Sequence, residues 1–172
     1  MRSFKSNRIG SRKAQTMVEF ALVLPILLVI VYGVLEVGRL ILTYSTVISA
    51  SREAVRYGSA TGLNVSGGVP RYNDCAGIRA AAQNVDFLNV FDDANISITY
   101  DKGSDSSHYS DCLVGQSTGG PSDTQINTPP LSRIKVTVTF SFTPLAAIVP
   151  LNPITRSFSN ARTIIGSVKI LP

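Results

Sequence analysis

The chain is poor in the residue types that build most active sites. Among its 172 residues there are one histidine, two cysteines and no tryptophan. No nucleophile–base set can be assembled around His108, and the sequence holds no CxxC pair, Walker A motif or dinucleotide-binding glycine motif. These absences predict a protein that is not an enzyme and that carries no metal or other cofactor.

Acidic residues are absent from the N-terminal segment. Five of the 16 basic residues lie within Met1–Ala14, and the first acid is Glu19. The chain from Gln15 onward holds 11 basic and 11 acidic residues, so its formal charge is zero. Nucleic-acid binding needs a basic patch on a folded face, which this distribution does not provide. The basic segment is predicted to be a disordered cytoplasmic leader, because Lys and Arg beside an apolar helix stay on the cytoplasmic side.

Charged residues are also missing from Phe20–Leu35, the core of a long apolar run. The run continues past Glu36 and Arg39, and a helix over about residues 20–42 would be about 35 Å long, enough to cross a bilayer. It is longer than the apolar core of a cleaved secretory signal. The sequence therefore predicts a transmembrane segment. Pro25 is expected to weaken or kink it, and Glu36 and Arg39 are expected to pair on one helical face.

From Leu40 onward the apolar residues recur at helical spacing, which predicts an amphipathic end to the same helix. One helix over residues 15–58 is expected, followed by a domain over residues 59–172. The clearest strand is Ser132–Phe142, whose alternation is typical of an antiparallel sheet with one solvated face. The other predicted elements are a helix Ala76–Asn89, strands Asn95–Tyr100 and Ile154–Val168, and a long exposed loop Asp101–Pro130. The predicted class is α+β.

Two small groups of residues invite a further interpretation. Outside the cytoplasm, Cys75 and Cys112 are expected to form a disulfide, whereas in a reducing compartment they would remain two free thiols. Asp101, Asp105 and Asp111 suggest a calcium site, but their spacing lacks the EF-hand pattern. A solvated turn is the preferred interpretation, and His108 in the same stretch is expected to be solvated as well.

The start of the apolar run carries a recognisable motif. Gln15–Pro25 reads QTMVEFALVLP and resembles the N-terminal signature of TadE-like pseudopilins, which are minor pilins of the Tad (Flp, type IVb) pilus system. The similarity continues into LEVGRLILTYSTVISASREAVRYGSATG and, more weakly, into KVTVTFSFTPL and SFSNARTII. The resemblance implies a pilin-like fold. In it, a long N-terminal helix has a transmembrane first half, and its amphipathic second half packs on a small antiparallel sheet with one short helix.

The resemblance also implies a processing site. In that family a prepilin peptidase removes the basic leader, and on this chain the cut falls between Ala14 and Gln15. Family members usually have Gly where this chain has the small residue Ala14. Glu19 then becomes the fifth residue of the mature protein and, with Phe20, is assigned to assembly and registry. The alternative is that Glu19 is solvated at the cytoplasmic interface.

The function implied by the resemblance is structural. It is a part in assembling a Tad pilus and in adhesion, with the membrane, other pilins and pseudopilins, and the prepilin peptidase as partners. The expected location is the inner membrane, as a single-pass protein with its N-terminus inside and its domain outside. The alternative is an uncleaved signal-anchored envelope protein whose outer domain binds a ligand or a partner.

Overall fold

The structure is a computed structural model that describes residues 9–103, 106–145 and 152–165, with side chains from residue 14 onward. It contains three α-helices and four strands, which confirms the α+β class. In chain order they are α1 (Ile9–Ser59), α2 (Cys75–Gln83), β1 (Ile96–Asp101), β2 (Ser110–Cys112), α3 (Asp123–Asn127), β3 (Arg133–Phe142) and β4 (Ile154–Thr163).

The chain divides into two compact units, one ending at Leu40 and the other beginning at Ile41. The boundary falls inside α1, so residues of the predicted helix contribute to both units. The helix begins at Ile9 and runs through Pro25. The expected disorder of the leader is therefore wrong for residues 9–14, where no proline stops the helix. Residues 1–8 of that prediction lie outside the described residues.

The second unit contains one antiparallel sheet of four strands in the order β2-β1-β3-β4. The alternation predicted for β3 is confirmed, because the residues of one face are buried and those of the other are partly or fully exposed. The buried residues are Ile134, Val136, Val138, Phe140 and Phe142. This face forms the core of the unit.

The part of α1 that belongs to the second unit packs on the buried face of the sheet. Val47 and Ala54 are fully buried. A side chain at Gly58 would collide with the Cδ1 atom of Ile134, so the helix approaches β3 closely at this glycine. The amphipathic pattern after Leu40 thus corresponds to a helix–sheet interface.

Two predicted boundaries are wrong, and the first of them has an identifiable local reason. The second helix was expected to reach Asn89 but ends at Gln83. The carboxylate of Asp86 accepts hydrogen bonds from the backbone N–H groups of Val90 and Phe91, and such bonds compete with helix continuation. The strand predicted over Ile154–Val168 ends at Thr163, and residues 166–168 of that prediction lie outside the described residues.

The stretch Asp101–Pro130 was predicted as one exposed loop. This is wrong for two of its segments, which form β2 and α3. Three residues form β2, which pairs with β1. A short helix, α3, begins at a capping box in which Ser122 and Gln125 satisfy each other's backbone N–H groups. It buries Ile126, which is 1% exposed. One apolar residue among polar neighbours is a weak sequence signal.

Candidate functional site on the N-terminal helix

The predicted processing and registry residues all lie on α1. Ala14, Gln15, Glu19 and Phe20 are exposed on this helix. The side-chain amide of Gln15 donates a hydrogen bond from Nε2 to Oε1 of Glu19 at 3.2 Å. Helical spacing explains this contact, since residues four apart lie on one face. The first carboxylate of the chain therefore has one neutral donor and no cationic partner within 4 Å in the described residues.

The apolar run that follows Glu19 is exposed along its whole length. From Met17 to Leu42 its large apolar side chains are at least 38% exposed, except Leu40, which is partly buried; Phe20 is 65% exposed. The 18-residue window of highest mean hydropathy reaches 2.6, and none of it is buried within the protein. By length and composition this helix is able to cross a membrane. Apolar surface of this extent requires lipid or other apolar helices around it.

Three further polar side chains of the first unit, those of Tyr32, Glu36 and Arg39, contact one another. The predicted pair is confirmed, because Nη2 of Arg39 lies 3.1 Å from Oε2 of Glu36. The hydroxyl of Tyr32 also donates to Oε1 of Glu36, at 3.0 Å. The role of Tyr32 was missed, although its position four residues before Glu36 was a usable signal. The carboxylate of Glu36 thus has a cationic partner within its own helix. In the described residues, the carboxylate of Glu19 has only the neutral amide of Gln15.

In the second unit, the face of α1 that packs on the sheet includes polar residues with satisfied hydroxyl groups. Thr46 donates from Oγ1 to the carbonyl of Leu42 at 3.0 Å. Ser51 donates to the carbonyl of Ile48 at 2.9 Å and accepts from Nδ2 of Asn160 at 2.6 Å. The predicted apolar row therefore gains a specific polar contact to β4 in addition to apolar burial.

Two tyrosines connect α1 to its surroundings. The ring of Tyr44 meets that of Phe158 edge-to-face, with centroids 4.7 Å apart. The hydroxyl of Tyr57 donates to Oδ2 of Asp74 at 2.7 Å, and Asp74 also caps α2 by accepting from the N–H of Gly77. Burial and this hydrogen bond raise the pKa of Tyr57 to about 12. The end of α1 and the start of α2 are thereby joined.

The two cysteines join α2 to β2. Cys75 and Cys112 form a disulfide with Cα atoms 5.6 Å apart, as the sequence predicted for an oxidising compartment. Beside it, the buried guanidinium of Arg79 donates to three carbonyl oxygens, those of Asp93, Ile96 and Cys112, at 2.7–2.9 Å. Sequence reasoning missed this residue, which ties the same two elements together.

We expect the disulfide to carry a large share of the stability of this unit. Changing both Cys75 and Cys112 to serine should lower the free energy of unfolding by about 3–4 kcal/mol, because the bridge closes a long loop in the unfolded chain. Urea unfolding of the full chain in detergent measures this. Reduction of the unmodified protein should lower its stability by a similar amount, and equal stability of oxidised and reduced protein would contradict the prediction.

Two of the three aspartates considered for a cation, Asp101 and Asp111, lie in strands of the sheet. Asp101 is the buried last residue of β1, so a solvated turn is wrong for this position, and Arg133 donates to both its carboxylate oxygens at 2.7 and 3.0 Å. Burial alone would raise the pKa of Asp101, but these hydrogen bonds and nearby positive charges hold that pKa below its usual value.

The other residues of the cation hypothesis do not converge on Asp101. Asp111 lies in β2, and Nε2 of His108 is 4.0 Å from its carboxylate. The side chain of His108 is 61% exposed, in agreement with the solvated position expected for it. Asp105 lies outside the described residues. Within the part of the chain that the structure describes, no group of three or more His, Cys, Asp or Glu side chains is placed to hold a metal ion.

These observations define an α+β protein with a small antiparallel sheet and an N-terminal helix that is apolar and long enough to cross a membrane. Residues 14–56 match the family model described as TadE-like protein, a match that covers 43 of the 172 residues. The resemblance recognised at Gln15–Pro25 is thereby confirmed over this part of the chain. No curated protein and no solved structure matches the chain.

Proposed function

We propose that the protein is a pseudopilin, a minor pilin-like subunit that takes part in assembling a Tad pilus. The observation that carries the proposal is the exposed apolar helix with Glu19 near its start. Such a helix is satisfied first by lipid and then by the apolar helices of neighbouring subunits. The role is structural and requires no catalytic group, and the domain of the second unit would present a surface for adhesion.

Glu19 supplies the specificity of this assembly. A carboxylate within an apolar environment is costly unless it is paired, and in the described residues it has only the neutral amide of Gln15. Removal of the leader between Ala14 and Gln15 by a prepilin peptidase would create an ammonium group close to it. That cation, from the same or a neighbouring subunit, would neutralise Glu19 and set the register of adjacent helices.

The proposed topology has the N-terminus in the cytoplasm and the sheet domain outside the inner membrane. The basic residues before Gln15 support this orientation through the positive-inside rule. The disulfide between Cys75 and Cys112 supports it independently, because such bonds persist in oxidising compartments. Both observations support a topology in which the N-terminus and the sheet domain lie on opposite sides of the membrane.

The mature N-terminus tests the proposal directly. The full chain is expressed with and without a Tad prepilin peptidase, and its intact mass is measured. A chain that begins at Gln15 only when the peptidase is present supports the pseudopilin role. Ala14→Gly should be cut at least as efficiently, whereas a bulky residue at the same position should block cutting. A chain that keeps Met1–Ala14 in every case would favour the uncleaved signal-anchored protein.

A further inference from the structure

The last strand of the sheet, β4, has an open edge. All ten of its residues pair with β3, from Ile154 opposite Phe142 to Thr163 opposite Arg133. β4 is the terminal strand of the sheet, and in the described part of the chain nothing pairs with its outer side. Eight of the ten residues are exposed. About half of the backbone N–H and C=O groups of such a strand point outward without a strand partner.

Most of the usual devices that protect an edge strand are missing from β4, and its two arginines are the exception. The strand reads ITRSFSNART and contains no proline, glycine or lysine. Its register with β3 runs over ten consecutive pairs, so no β-bulge turns the edge away. By contrast, the opposite edge strand, β2, has only three residues, and short edges offer little to an added strand. The length and regularity of β4 suit pairing with a further strand.

The charge of β4 indicates which kind of strand would pair with it. Arg156 and Arg162 are exposed, and the strand has no acidic residue. They are six residues apart, so both side chains lie on the same face and about 20 Å from each other. Neither guanidinium lies within 4 Å of a carboxylate among the residues described. The undescribed segments nearest to β4 in sequence, 146–151 and 166–172, contain no acidic residue.

We propose that the outer edge of β4 binds an extended segment of a partner protein that carries acidic residues six positions apart. The segment would add a fifth strand to the sheet through backbone hydrogen bonds, and its acids would face Arg156 and Arg162. This inference does not rest on the pseudopilin role, because the edge belongs to the second unit and would be equally open in an uncleaved anchored protein.

A peptide series tests the proposal on the purified full chain in detergent micelles. The probe is a fluorescent ten-residue peptide of alternating threonine and valine with two glutamates six positions apart. It should bind and slow the amide exchange of β4. Glutamine in place of both glutamates should weaken binding about tenfold or more, since two opposite-charge pairs are lost. The same acidic peptide with N-methylated backbone positions should bind no better than that glutamine peptide.

Protein variants distinguish binding at the edge of β4 from nonspecific attraction between opposite charges. The double variant Arg156→Glu and Arg162→Glu should no longer bind the acidic peptide and should bind a lysine-substituted peptide instead. The control variant Arg52→Glu, on the exposed face of α1, should bind both peptides as the unmodified protein does. Arg156→Gln with Arg162→Gln serves if the charge-reversed protein does not fold. Equal binding of the N-methylated peptide, unchanged amide exchange in β4, or binding that appears only after residues 166–172 are removed would overturn the proposal.

Discussion

Replacement of Arg79 by methionine is expected to lower the free energy of unfolding of the second unit by about 3–5 kcal/mol. Arg79 is 4% exposed, and its guanidinium donates to the carbonyl oxygens of Asp93, Ile96 and Cys112. Methionine fills a similar volume but removes the donor to the buried carbonyl groups of Ile96 and Cys112. It also removes the ion pair of Arg79 with the carboxylate of Asp93, although the carbonyl of Asp93 still accepts from the N–H of Ile96. Because small domains are stable by only about 5–15 kcal/mol, the loss is a large fraction of the total.

Urea unfolding of the full chain in detergent, followed through the accessibility of the disulfide to a reductant, measures this effect. Arg52→Met is the matched control. Arg52 is an exposed arginine on α1, and its replacement should change stability by no more than about 0.5 kcal/mol. A loss of stability in Arg79→Met no larger than in Arg52→Met would contradict the role given to the buried guanidinium.

Arg79 also shows where sequence reasoning stops. Ile78 and Ala82 belong to an apolar stripe of α2, and both are fully buried. An arginine next to such a stripe is normally solvated. Its burial is decided by three carbonyl groups from residues 14 to 33 positions away in sequence. No local pattern contains that information, because it depends on the path of the chain around α2.

The elements with strong periodicity were predictable, and those defined by their partners were not. The alternation of β3 indicates a strand with one buried face, and the uncharged run after Glu19 indicates an apolar helix. β2 has three residues and exists as a strand only because it pairs with β1 next to Cys112. By contrast, the boundary between the two units, between Leu40 and Ile41, coincides with the point at which the sequence pattern becomes amphipathic.

The candidate site divides in the same way. The pair of Glu36 with Arg39 followed from helical spacing alone and is present at 3.1 Å. The contact of Gln15 with Glu19 obeys the same spacing rule. By contrast, the bond between Ser51 and Asn160 joins residues 109 positions apart. It required knowledge that β4 lies beside α1, which the sequence order does not contain.

Replacement of Glu19 by alanine is expected to leave membrane insertion intact and to reduce co-purification with pilin subunits by about tenfold or more. Insertion should persist because removing a carboxylate from an apolar run lowers the cost of entering lipid. Assembly should fail because the charge proposed to pair with the mature amino terminus is lost. A tenfold change corresponds to about 1.4 kcal/mol, and a paired charge in a membrane contributes more than this. Affinity purification of tagged pilin from membranes measures the recovery.

Two further variants identify which property of Glu19 is responsible. Glu19→Gln keeps the shape and can still accept a hydrogen bond from Gln15, but it has no charge, so it should fail as Glu19→Ala does. Glu36→Gln removes the other carboxylate of the apolar run, whose partners are Tyr32 and Arg39, but its amide oxygen can still accept hydrogen bonds from them, so this variant should assemble normally. Normal recovery of Glu19→Ala, or equal losses for Glu19→Gln and Glu36→Gln, would show that assembly does not depend on a specific charge at position 19.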